Sequence, residues 1–231
     1  MNLPKIICKR IGYSNVTLLI NGADSVLIDT GVRGNLQRIK ILFRQFNLTP
    51  SDIKLIVLTH THHDHTGNLR RLKELTGAKV MVHKNEFENL KAGVMPIPKG
   101  IGIYPGFITA VARWFFPKFV SPEPVVADLI NENEFDLGIF GIDGKVISTP
   151  GHTSGSQSVL LGDRLIAGDT FVNMPNGMIF PPFANEPDVL LNTWQNIFNR
   201  GVKTIYPGHG KPFSTEKALV GFERWKRKIK N

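Results

Sequence analysis

Five short apolar runs in this chain each stop at an aspartate or a histidine, and this recurrence limits the fold more than any other feature. They are "SVLIDTG" at Asp29, "IKLIVLTH" at His60, "VISTPGH" at His152, "LIAGD" at Asp169 and "TIYPGHG" at His209. Runs rich in Val, Ile and Leu that end at Gly or Thr read as buried strands. If such strands share a direction, their polar ends gather along one edge of a sheet structure, and that edge is where a site is expected. Helical patterns fall between them, at about 34–46, 67–76, 187–199 and 215–229. Strand hairpins with interspersed helices predict two packed sheets covered by helices on their outer faces. There is also an internal echo. Residues 16–31 and 158–171 both read as strand, tight Gly/Asp turn, strand and Asp-Thr, which points to two related halves.

A chain of 231 residues with 42% hydrophobic residues can bury a full core, and residues 1–231 are read as one domain. The lone cysteine, Cys8, excludes an internal disulfide framework and fits a reducing compartment. The first residues, "MNLPKIICKRIG", lack the basic and apolar regions of a signal peptide, and no run is long enough to span a bilayer. A cytoplasmic location is therefore expected. The formal charge of +9 favours an anionic partner, whether substrate, nucleic acid or the surface of a membrane touched peripherally.

Four of the seven histidines crowd into "LTHTHHDHTGN". If the strand direction persists past His60, His60 and His62 point the same way and can share one metal ion. Asp64 and His65 follow one turn later, where "TGNLRRLKEL" starts a helix, and can face a second ion. Imidazoles with a carboxylate suit zinc, with iron and manganese as alternatives. A purely structural zinc site is disfavoured because the cluster contains no cysteine.

The run from His60 to His65, with "PGHTSGS" at His152, "AGDTF" at Asp169, "PGHG" at His209 and "LIDTG" at Asp29, resembles the ordered motif set of the metallo-β-lactamase superfamily. The resemblance extends from about residue 15 to 212. It implies an α/β (α+β) fold, the four-layer αββα sandwich with two mixed sheets. It also implies one metal on His60, His62 and His152, a second on Asp64, His65 and His209, and Asp169 bridging both, with Asp29 orienting ligands. Two divalent ions roughly 3.5–4 Å apart acidify a shared water, so the implied reaction is hydrolysis, with Asp64 as the catalytic group that manages protons.

Within that superfamily, the bridging Asp169 sets the chain apart from the antibiotic-hydrolysing members. "TPGHTSGS" and "GDTF" are most similar to the glyoxalase II group, although too few residues follow His209 for the helical domain of its long members. The tyrosine that marks acyl-homoserine lactonases is absent after Asp169, where Phe171, Val172 and Asn173 stand. The expected function is thus hydrolysis of an acyl thioester, ester or lactone. A phosphodiesterase or nuclease, and a non-catalytic metal-binding module, are the alternatives, and no nucleic-acid module is recognisable.

Two segments carry further expectations. Residues 91–121 contain Lys91, Lys99, Arg113 and Lys118, no acidic residue, and many apolar side chains including Trp114, Phe115 and Phe116. They read either as a substrate lid with an apolar lining or as a satellite core. At the C-terminus, Ala218, Leu219, Phe222, Trp225 and Ile229 form an apolar stripe, with Ser214 as N-cap and a solvated basic face. His63 and His83 receive no role.

Overall fold

The structure is a computed structural model that describes residues 3–22, 24–96, 99–101 and 122–229. Two six-stranded mixed sheets lie at its centre. The first contains β1 (Lys5–Ile11), β2 (Ser14–Asn21), β3 (Asp24–Ile28), β4 (Ile53–Val57), β5 (Lys79–His83) and β6 (Leu129–Asn131), in that spatial order. β1, β2 and β3 pair antiparallel, and β3 through β6 pair parallel. The second contains β7 (Glu134–Asp136), β8 (Lys145–Ser148), β9 (Gln157–Leu161), β10 (Arg164–Asn173), β11 (Thr204–Gly210) and β12 (Phe213–Ser214). Its one parallel pair is β10 with β11.

Strand alternation explains why these runs are apolar throughout. In the first sheet Leu19, Val26, Ile28, Leu55, Val57 and Met81 face the second sheet, where they meet Val146, Val159, Leu161 and Ile166. Their neighbours Leu18, Leu27, Ile56, Val80 and Val82 face outward into a core shared with helices. A strand covered on both faces has no polar side, so its sequence loses the period-two pattern. Those outer helices are α1 (Leu36–Gln45), α3 (Leu69–Thr76) and α4 (Lys84–Ala92), which bury Ile39, Phe43, Leu69, Leu72 and Leu90. A single helical turn, α2 (His63–Thr66), precedes α3.

On the far side, α5 (Pro187–Asn199) and α6 (Thr215–Ile229) cover the second sheet. Pro187 opens α5, where its missing N–H is no loss. Leu190, Trp194 and Ile197 from α5 and Ala218 and Phe222 from α6 join one aromatic-rich core. The expected αββα sandwich is therefore the observed one. Leu219, placed on the apolar stripe of α6, is instead 42% exposed. The sequence reading did not include β1, β6, β7, β12, α2 or α4, and the first turn of α4 is capped by the His83 side chain accepting from Asn85 N–H. Most of the 91–121 insertion, with Trp114, Phe115 and Phe116, lies outside the described residues. Among the described residues no helix is long and apolar enough to cross a membrane.

Trp194 ties the helical layer to the edge that carries Asp169. It is fully buried, stacks on Phe171 with ring centroids 4.2 Å apart, and donates its indole N–H to the Thr170 carbonyl at 2.7 Å. Trp194→Ala is expected to destabilise the fold by about 3–5 kcal/mol, and Trp194→Phe by about 1 kcal/mol, which chemical denaturation measures. Equal losses in the two variants would mean that ring volume contributes nothing.

Candidate metal centre

The five predicted strand ends do converge. β3 and β4 run parallel in one sheet and β10 and β11 in the other, so Asp29, His60, Asp169 and His209 reach the same edge of the sandwich. β4 stops at Val57, earlier than the sequence suggested, and His60 and His62 sit in the segment leading into α2. They converge all the same, through different ring atoms, with His60 Nε2 3.0 Å from His62 Nδ1. His152 Nε2 lies 3.0 Å from His62 Nδ1 and 3.3 Å from His60 Nε2.

Three imidazole nitrogens facing one another so closely match the spacing a cation imposes. Nitrogens bound to one zinc at about 2.0–2.1 Å stand about 3.3 Å apart at a tetrahedral angle. The tautomers agree with this. His152 Nδ1 donates to the Phe183 carbonyl at 2.7 Å, and His209 Nδ1 donates to the Tyr13 carbonyl at 2.8 Å. His65 Nδ1 donates to Asp29 Oδ2 at 2.7 Å. Thr59 Oγ1 gives its proton to Asp29 Oδ2, so His60 Nδ1 donates to Thr59 Oγ1 at 3.1 Å. In the neutral rings each of these bonds leaves an Nε2 lone pair aimed at the centre, the arrangement metal-ligating histidines use. His65 Nε2 and Asp169 Oδ1 are buried there without a hydrogen-bond partner. A set of donors this rich in lone pairs fits a divalent cation.

Two groups result: His60, His62, His152 and Asp169, and next to them Asp64, His65 and His209. The carboxylate of Asp169 faces both. Oδ2 lies 3.6 Å from His152 Nε2, while Oδ1 lies 3.3 Å from both His65 Nε2 and His209 Nε2. Asp64 Oδ2 is 3.3 Å from His209 Nε2. Gly208 keeps this approach open, because a Cβ there would fall 2.0 Å from Asp169 Oδ1. Gly168, at φ 51°, lets β10 pass Thr59 where a Cβ would come within 2.5 Å.

Charge divides the groups. Burial first, and neighbouring imidazoles second, hold His60 far below the usual histidine range and His62 down to about 3. Burial likewise lowers His152. For His209 burial opposes protonation, but Asp169 and Asp64 outweigh it and raise the ring to about 10. His65 is raised in the same manner, with Asp29, Asp64 and Asp169 overcoming burial. Burial resists ionisation of Asp64 and Asp169 as well, yet His65 and His209 hold both well below the ordinary carboxylate range. The carboxylates thus favour positive charge at this second group, which a bound cation would supply.

Several residues that sequence reasoning missed complete the edge. Tyr13, Ser14 and Asn15 sit where β1 turns into β2. Ser14 Oγ donates to the Asp64 carbonyl at 2.5 Å, and Asn15 Nδ2 donates to the Pro207 and Gly210 carbonyls at 2.8 Å each. Thr61 donates to the buried carboxylate of Glu86, which steadies the link between His60 and His62. His83 is structural: Nε2 faces the Glu132 carbonyl at 3.0 Å. His63 Nε2 pairs with the Tyr13 hydroxyl at 2.5 Å. The turn motif "GYSN" was the one available signal, and turn residues alone do not announce such contacts.

The centre opens into a cleft of about 1120 Å³. Met95, Met174, Pro181 and Phe183 contribute apolar wall, while Arg10, Lys211 and Lys217 bring positive charge. Lys217 is therefore more than part of a solvated face; it reaches Asn173 Oδ1 at 2.7 Å. Of the flanks of the 91–121 insertion, Met95 lines the cleft and Gly100 bridges to Phe183.

What this geometry defines is a cluster of His and Asp, able to bind metal, at the edge of an αββα sandwich. The chain belongs to the metallo-β-lactamase superfamily, whose family model matches residues 10–209. It is 30% identical over 209 residues to a "Probable metallo-hydrolase" of Methanocaldococcus jannaschii, covering 87% of this chain and 89% of that protein. It is also 30% identical over 131 residues to a hydroxyacylglutathione hydrolase of Shewanella pealeana, spanning 57% of this chain and 38% of that protein. Among solved structures, a metallo-β-lactamase family protein of Thermus thermophilus superposes with a TM-score of 0.70 at 21% identity, covering 96% of this chain and 79% of that one. The protein is a metallo-hydrolase of this superfamily with a His/Asp cluster able to bind metal.

Coordination needs the Nε2 lone pairs, so filling the second group must expel the protons of His65 and His209. Since His209 holds its proton up to about 10, metal affinity should rise with pH until roughly that value and fall as pH drops. Titration calorimetry at pH 7.5 in two buffers of different ionisation enthalpy should show proton release on zinc binding, roughly two per filled second group. A heat independent of buffer would contradict the protonation states derived above.

Proposed function

We propose that the protein hydrolyses the thioester or ester bond of a small acyl substrate at a centre of two divalent cations, zinc by preference. The observation that carries this reading is the splitting of the Asp169 oxygens between two adjacent donor groups at the floor of a largely apolar cleft. His60, His62 and His152 would hold one cation, and Asp64, His65 and His209 the other, with Asp169 shared. Divalent cations supply, when bound, an acidified water and a Lewis acid beside the bond under attack.

The chain's own residues do the rest. Asp64 stands at the cleft wall with Oδ2 toward His209 and Oδ1 4.0 Å from His63 Nδ1, and it would manage the proton that passes to the leaving group. The apolar wall accommodates an acyl chain and excludes water from it, while Arg10, Lys211 and Lys217 favour a substrate with a negative end. Partial likeness to a hydroxyacylglutathione hydrolase supports the thioester in particular. Imidazole and carboxylate donors without cysteine support zinc, and the same set accepts iron or manganese. The charge of +9 suits an anionic partner of either kind, and Met95, Met174, Pro181 and Phe183, which make the walls apolar rather than a basic groove, favour a small molecule over nucleic acid.

Initial rates on thioesters and p-nitrophenyl esters of two, four, six and ten carbons, beside bis(p-nitrophenyl) phosphate, test the reading. Acyl turnover should exceed phosphodiester turnover by roughly tenfold or more, about 1.4 kcal/mol in transition-state free energy, and vanish on chelation. Turnover confined to the phosphodiester would overturn it.

A further inference from the structure

We propose that the cleft rim beyond His209 is a binding subsite for a carboxylate or phosphate, formed by Lys217, Lys211 and Arg10, with Asn173 positioning Lys217. The proposal rests on the acyl-hydrolase reading and deepens it. Its substrate class is a thioester or ester with an apolar acyl chain on one side of the scissile bond and a fixed negative charge on the other.

These three cations line one cleft and have no counter-ion. Cations elsewhere find carboxylates: Arg33 pairs with Glu123, Lys73 with Asp128 and Arg200 with Glu134. All 19 aspartates and glutamates lie among the described residues, so no acidic side chain remains outside them to neutralise the rim, and none pairs with Arg10, Lys211 or Lys217. Unpaired positive charge on the wall of a partly apolar cleft focuses its field on whatever enters.

One run of contacts brings the three side chains to the same rim. Asn173 stands opposite Gly210 where β10 pairs with β11, and Lys211 follows Gly210. The Asn173 amide is used at both ends: Nδ2 donates to the Lys211 carbonyl at 2.8 Å, and Oδ1 accepts from Lys217 Nζ at 2.7 Å. Lys217 Nζ also lies 5.7 Å from the centre of the Phe213 ring. Arg10 stands opposite Asn15 in the pairing of β1 with β2, and Asn15 Nδ2 donates to the Gly210 carbonyl at 2.8 Å. Arg10 Nε donates to the Gly12 carbonyl at 3.0 Å, which sets the direction of the guanidinium. An ammonium held by a neutral amide keeps its whole charge and two of its protons for a ligand.

The cleft is therefore polarised along its length. Phe183 gives its carbonyl to His152 Nδ1, so the apolar wall of Phe183, Pro181 and Pro182 flanks the first donor group. On the other side Val172 pairs with His209, and Asn173 is the next residue outward. Asn173 is also four residues beyond Asp169 on β10, which places the subsite roughly 10–13 Å from the donor groups at about 3.3 Å per residue. A substrate lying across the centre meets apolar wall at its acyl end and positive charge at its leaving-group end.

The test uses S-hexyl thioethers of three cysteamine amides: N-succinyl, which ends in a carboxylate; N-(3-phosphonopropionyl), which ends in a phosphonate; and N-succinamoyl, which ends in a neutral amide. Thioethers are not cleaved, so calorimetry on the zinc-loaded protein reads the subsite whether or not the enzyme hydrolyses acyl substrates. The wild type should bind an anionic thioether about tenfold more tightly than the neutral one, an advantage that shrinks as salt is raised. The tighter anion names the substrate as carboxylate- or phosphate-bearing. Lys217→Gln, which can still donate to Asn173, and Asn173→Asp, which sets a carboxylate against Lys217, should each cut the advantage to about threefold or less. Hexanoyl thioesters of the same three thiols should show the same order in kcat/KM, carried mainly by KM. Anion preference without hydrolysis of any thioester would sink the acyl reading and keep the subsite. Equal binding of all three thioethers by the wild type would overturn the proposal, as would a preference that survives undiminished in both variants, since the anion would then sit on the metal centre and not on these cations.

Discussion

One carboxylate holds the metal edge together. Asp29 stands at φ 60°, a left-handed conformation that costs an L-residue about 1–2 kcal/mol, and it stays there because its oxygens are fully engaged. Oδ1 accepts from Thr59 N–H at 2.8 Å, and Oδ2 accepts from Thr59 Oγ1 at 2.8 Å and from His65 Nδ1 at 2.7 Å. Asp29 N–H in turn donates to the Val57 carbonyl at 2.9 Å. The end of β3 is thereby locked to the end of β4. His65 is oriented directly and His60 through Thr59, so one ligand of each donor group takes its direction from the same buried anion. Asp29 touches neither cleft nor substrate, yet both donor groups depend on it.

Much of this was legible in the sequence because it depends on what strand ends carry. The ordered motifs fixed His60, His62, Asp64, His65, His152, Asp169 and His209 as one set, and all seven converge. Periodicity found α5 and α6 at their observed bounds and α1 and α3 within a few residues. It missed α4, since "KNEFENLKA" buries only Glu86 and Leu90 and so shows a weak apolar stripe. The contacts of Tyr13, Ser14 and Asn15 could not be read, because each joins residues 50 or more positions apart through hydrogen bonds that leave no pattern in composition.

The internal echo has a structural counterpart. β2 and β3 form an antiparallel hairpin whose second strand pairs parallel with β4; β9 and β10 form another whose second strand pairs parallel with β11. Asp29 follows the last residue of β3 and Asp169 lies within the longer β10, each followed by a buried threonine. Corresponding aspartates do different work because of what surrounds them. Asp29 is sealed under Thr59 and His65, whereas Asp169 lines the cleft, where Gly208 leaves room beside its Oδ1.

The central claim, that a shared carboxylate joins two cation sites, is tested most directly by anomalous diffraction from zinc-soaked crystals, with data on both sides of the zinc absorption edge. The account predicts two anomalous peaks roughly 3.5–4 Å apart, one among His60, His62 and His152 and one among Asp64, His65 and His209, with Asp169 between them. A single peak at either group under saturating zinc, or two peaks neither of which Asp169 touches, would contradict it.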